Sequence, residues 1–179
     1  YVTGRGSVAY EYRIATTEVS TAQWLEFFNT FMGTATPPPH LTEPLDWGGV
    51  RDTSYPGPGR QFRLSGVANA AQIGAYGVTW RTAAMYCNWL HNNKSSDPAA
   101  VMSGAYDVST FFDNPDGTFT DQPTHSPGAR YWIPTLDEWL KAAHWDPNHA
   151  DNGGWWTYSN RSDIPLTYGP PPSFGGDGT

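Results

Sequence analysis

Residues 129–147, ARYWIPTLDEWLKAAHWDP, constrain the fold more than any other stretch of the chain. The aromatic run Tyr131-Trp132-Ile133 reads as a strand, and Pro134, which has no N–H to give a ladder, closes it. Thr135 is an N-cap, with Glu138 at the reciprocal capping-box position three residues on. Leu136, Trp139, Leu140 and Ala143 then recur at i, i+3, i+4 and i+7, the spacing of one apolar helical face. His144 sits at the negative end of the helix dipole and Pro147 stops the helix. A helix facing the core in this way predicts that Trp139→Ala costs about 3–5 kcal/mol. This unit of strand, break and short amphipathic helix belongs to an α+β architecture.

The unit recurs twice in less complete form. At 10–31, Tyr10, Tyr12 and Ile14 alternate. Ser20 and Gln23 then have capping-box spacing, and Trp24, Phe27, Phe28 and Phe31 share a helical face. At 76–93, Thr79 caps a helix with Ala83, Tyr86, Cys87 and Leu90 on one side. Thr82 stands there where the acidic half of a capping box belongs.

These three blocks resemble the formylglycine-generating enzyme, or sulfatase-modifying factor, domain family, a branch of the C-type-lectin-like folds. The resemblance covers IATTEVSTAQWLEFFN (14–29), YGVTWRTAAMYCNWL (76–90) and YWIPTLDEWLKAA (131–143). Glu18, Val19, Gln23, Phe27, Val78, Trp80, Ala83, Trp89, Leu90, Pro134, Thr135, Glu138, Trp139, Ala142 and Ala143 fall on the family pattern in order. It implies an α+β, C-type-lectin-like fold, with short helices packed on small antiparallel sheets and many irregular loops.

The chain of 179 residues suits a single domain over 1–179. Charged residues are 15% and aromatics also 15%, a balance of globular packing and not of disorder. A net charge of −7 repels phosphate backbones and argues against nucleic acid as a partner. No apolar run reaches the roughly 20 residues of a membrane span. Turn-rich sequence fills 33–75 (PPPH, DWGG, YPGPG) and 95–130 (DNPDG, QPTHSPG), two long loop regions suited to binding.

Activity of the formylglycine-generating type implies copper-dependent thiol oxidation by a cysteine pair in the C-terminal part of the domain. The single thiol here, Cys87, lies on an apolar helical face and reads as a buried, inert side chain. The related iron-dependent sulfoxide synthases take histidine ligands from a separate helical bundle. His40, His91, His125, His144 and His149 show no HxH or HxxxH spacing. No catalytic residue is assigned, and no cofactor is required.

Asp113, Asp116 and Asp121 in FFDNPDGTFTD form the candidate calcium loop, since calcium takes about six to eight oxygens. An Asp-Gly turn between two strands accounts for the same residues. Trp155, Trp156 and Tyr158 are the candidate binding aromatics. Core packing is the alternative, because adjacent strand residues point to opposite faces. Asn93 and Asn160 head glycosylation-type triplets.

The family domain continues through a G-N-V-W-E-W-like segment and an R-G-G-S-W strand, whereas YGPPPSFGGDGT closes this sequence. The expected partner is therefore another protein chain, or a C-terminal part of the same protein that covers the sheet edge. The first residue, Tyr1, suits a processed N-terminus, and the resemblance implies an extracytoplasmic location. The function expected is a non-catalytic binding or assembly module that contacts another protein through its long loops. The alternatives are an oxidase of the formylglycine-generating type and a glycan-binding lectin-like domain.

Overall fold

The computed structural model describes residues 4–149 and 152–165. Its contacts divide into two units, Thr17–Ile133 and Tyr1–Thr16 with Pro134–Thr179. The first unit holds α1 (Thr21–Phe31), β1 (Gly49–Arg51), β2 (Phe62–Leu64), α2 (Trp80–His91) and two 3-10 turns at Pro98–Val101 and Val108–Thr110. The second holds α3 (Leu136–His144), β3 (Trp145–Asp146) and β4 (Gly154–Trp155).

Helix α1 forms as its spacing requires. Gln23 Oε1 accepts the Ser20 N–H at 2.9 Å, and the Ser20 hydroxyl, in capping-box position, also donates to that oxygen at 3.2 Å. Trp24, Phe27, Phe28 and Phe31 are all buried on one face. Thr21 is buried too, and its hydroxyl donates to Ile73 O and accepts from Gly48 N–H, fixing the start of the helix to two loops. On α2 the Thr79 hydroxyl accepts from Thr82 N–H, so the cap forms without an acidic partner.

The burial of α2 differs from the single stripe expected of it. Every residue from Ala84 to Trp89 is buried, while Ala83 and Leu90 are only half-buried. Two neighbours explain this. Tyr86 and Trp89 meet the aromatic face of α1, and Asn88 on another side holds the segment after the helix. A helix enclosed all round has no polar face to show.

The expected strands at Tyr10–Ile14 and Tyr131–Ile133 do not form among the described residues. A strand needs a partner ladder, and here side chains take its place. Tyr10 and Tyr12 donate their hydroxyls to the Glu138 carboxylate (2.9 Å) and to Glu138 O (2.6 Å). The Ile133 N–H donates to the Tyr106 hydroxyl. The strands that do form are short antiparallel pairs. Gly49, Val50 and Arg51 lie opposite Leu64, Arg63 and Phe62, and Trp145 and Asp146 lie opposite Trp155 and Gly154.

The largest correction concerns α3. Its capping box is present, with Thr135 N–H on Glu138 Oε2 at 2.7 Å and Glu138 N–H on the Thr135 hydroxyl. Yet the fully buried residue is Glu138, whereas Leu136 and Trp139 are 55% and 48% exposed. Glu138 is drawn inward because its carboxylate serves both the cap and Tyr10, so Leu136 and Trp139 turn outward while Leu140 and Ala143 stay half-buried. Trp139→Ala is accordingly expected to cost no more than about 1 kcal/mol, as for surface sites. Thr135→Ala, which removes a cap, should cost about 1 kcal/mol or more. Urea unfolding of the two variants checks the order, and a loss of several kcal/mol at Trp139 would restore the core-facing helix.

Candidate functional site

Cys87 is buried, and burial pushes its thiol up to about 12. A buried thiol shifted this far stays protonated at neutral pH and packs as a small apolar group.

The acidic loop is organised by a cation. Arg81, in the first turn of α2, donates through Nε and Nη2 to both oxygens of Asp121 (2.7 and 2.8 Å). Its Nη2 also donates to Asp113 at 2.6 Å. The rings of Phe111 and Phe119 flank the guanidinium, each at 5.6 Å. The Arg81 bond holds Asp121 below the usual carboxylate range. Asp113 bridges Phe119 across a turn in which Gly117 has φ +82°, and the Asp116 carboxylate accepts the Thr118 N–H and hydroxyl. This is the Asp-Gly turn, with two of its three aspartates paired to Arg81. Among the described residues no three His, Cys, Asp or Glu side chains converge on a point that suits a metal ion. Nothing in the sequence marks Arg81 as the organising residue, because its partners lie 32 and 40 positions away.

The three candidate binding aromatics do not share a platform. Trp155 packs edge-on to Trp145 at 5.3 Å, and its ring lies against Gly6, where an added Cβ would sit 2.4 Å away. Trp156 faces elsewhere, its ring tilted 36° against His149 at 3.9 Å and its indole N–H donated to Asp146. Tyr158 closes a small turn through the Ser162 carbonyl. Trp155 and Trp145 do line a shallow hollow with Arg5 and Lys141, but Arg5 is paired with Asp137 and Lys141 donates to Val8 O.

The two long loop regions carry exposed apolar side chains. Leu45 is 80% exposed and Val67 54%, and both line one groove with Val50, whereas Leu64 is exposed on the other face of the β1–β2 ribbon. In the second region Phe112 and Phe119 are exposed. A groove of about 450 Å³ runs along β1, between the ribbon and residues 43–47.

A family model for the sulfatase-modifying factor enzyme 1-like domain matches residues 6–165. The chain belongs to that family, and its α+β fold is C-type-lectin-like. No curated protein and no solved structure matches it. No helix among the described residues is long and apolar enough to cross a membrane.

Proposed function

We propose that this chain is a non-catalytic, extracytoplasmic binding or assembly module that contacts another protein through its long loops. The supporting observation is the solvent-facing set Leu45, Val50 and Val67, which line one groove in the first loop region. Apolar side chains grouped on one ribbon and its flanking loop are the usual mark of a contact surface, whereas singly scattered ones are not. The buried, protonated Cys87 agrees with a role in contact and not in thiol oxidation. Extracytoplasmic placement rests on the family resemblance.

Native protein isolated from its source is expected to co-elute with a protein partner on size exclusion, identified by mass spectrometry. The Leu45→Ser/Val67→Ser variant should lose that partner while keeping its melting temperature. Incubation with copper, oxygen and a cysteine-bearing sulfatase peptide should give no aldehyde. Aldehyde formation, a glycan-array signal, or a partner that ignores the double substitution would each displace this reading. Calcium titration of the same complex tests whether the Asp113–Asp121 loop responds to the ion.

A further inference from the structure

The β1–β2 ribbon has one closed edge and one open edge. Ser65 N–H donates to Gly48 O at 2.8 Å and Asp52 N–H to Gln61 O at 2.7 Å. Backbone groups alternate along an antiparallel strand, so Gly48, Val50 and Asp52 face β2 while Gly49 and Arg51 face away from it. On β2 Phe62 and Leu64 face outward, and both backbone groups of Phe62 are taken by one side chain. Asn29 Nδ2 donates to Phe62 O, and Phe62 N–H donates to Asn29 Oδ1, each at 2.8 Å. That edge is blocked at Phe62. No further strand pairs with β1 among the described residues. At Gly49 the Trp47 ring lies over one face of the ribbon, since an added Cβ would lie 2.6 Å from it. Arg51 is exposed, with its backbone directed outward.

The groove lies against β1 and reaches across the ribbon to Phe62 and Ser65, with Pro44, Leu45, Trp47, Val50 and Val67 among its other walls. Its rim is charged. Glu43 is paired with Arg60, but neither Asp46 nor Arg51 takes part in an ion pair among the described residues.

We propose that the β1 edge and its groove receive an extended peptide segment of a partner protein by strand addition. The segment would place alternate apolar side chains in the groove and an acidic side chain against Arg51. This rests on the protein-binding reading above and names its contact. Outward backbone donors and acceptors at strand spacing match an extended chain, and the apolar pocket beside them supplies side-chain selectivity. A second copy of this chain suits the edge less well. Isologous pairing would place two Arg51 guanidiniums in one short ladder with no counter-charge in it, an unfavourable cross-strand arrangement.

The probe is a random dodecapeptide phage library panned on the full chain, followed by synthesis of the leading peptide and anisotropy titration. Enriched sequences should alternate apolar residues and carry Asp or Glu. Arg51→Pro removes an outward N–H that the β1–β2 ladder does not use, so the ribbon should persist. It should weaken the peptide at least about ten-fold, the effect of losing roughly one charge-assisted contact. Arg51→Glu should do the same and be rescued by a peptide with Lys in place of the acidic residue. If Arg51→Pro disturbs folding, N-methylation of alternate peptide amides on the unaltered protein tests the same ladder. The proposal is overturned by a library with no enrichment, by equal binding to Arg51→Pro, or by self-association that Arg51→Pro abolishes. A native partner that still co-elutes with Arg51→Pro would sink the groove alone, whereas the absence of any partner sinks the module reading as well.

Discussion

Replacing Asn88 with Leu should destabilise the protein by at least about 3 kcal/mol, the sum of roughly 1–3 kcal/mol for each buried group left unpaired. Asn88 lies in the middle of α2 and is fully buried. Its Nδ2 donates to Val101 O and Tyr106 O, both at 2.9 Å, and its Oδ1 accepts Tyr106 N–H at 2.7 Å. All three partners are backbone groups of the segment that carries the two 3-10 turns. Leucine matches the volume but satisfies none of them, and water does not reach the site. A chain of this size loses about 2–4 °C of melting temperature per kcal/mol, so the expected drop is at least about 6 °C. Chemical denaturation with Asn88→Leu and Asn88→Ala checks it. If both cost under about 1 kcal/mol, a range typical of exposed positions, the segment is held by something other than this amide.

Asn88 shows why this fold was only partly legible in the sequence. Helix α1 could be read directly, because Trp24, Phe27, Phe28 and Phe31 obey a period that depends on the helix alone. The loops obey no such period. They are fixed by side-chain amides that bond distant backbone: Asn29 to Phe62, Asn88 to Val101 and Tyr106, and Asn92 to Ala100 and Ser103. An asparagine that serves a backbone partner 33 residues away looks the same in sequence as one facing water. The stripe on α3 failed for a related reason. Periodicity identifies an apolar face but not its direction, and the Tyr10 and Thr135 contacts of Glu138 decided that direction. Arg81 was invisible for the same cause, since its meaning lies in Asp113 and Asp121, which reach it only through the fold.

The candidate surface followed a different logic. The positions of the long loops were readable from Pro- and Gly-rich composition, which says where the chain turns. The open β1 edge is distinguished by Asn29, an α1 residue that blocks β2 at Phe62 and does not reach β1. The same amide therefore stabilises the loop and fixes the side from which an extended segment can approach.

Phe27→Ala should cost about 3–5 kcal/mol, the range for removing a fully enclosed aromatic ring. Phe27 is entirely buried, and its ring lies 5.3–6.0 Å from those of Trp24, Phe28, Phe31, Tyr86 and Trp89. Three of these neighbours share α1 and two belong to α2, so the ring is the central contact between the helices. The five surrounding rings are too bulky and too tightly held to collapse into the gap, which places the cost toward the upper end of the range. Hydrogen bonding contributes little to this cluster. Trp89, in contact with Phe27, keeps its buried indole N–H without a partner among the described residues, and enclosure, dispersion and the Lys94 ammonium over its ring hold it in place. Phe27→Leu, which retains most of the volume, should therefore lose less than about half as much. Parallel urea titrations of the two variants decide the matter. Equal losses would mean that ring shape and not volume is what the α1–α2 contact requires, and a small loss from Phe27→Ala would remove this ring from the centre of the core.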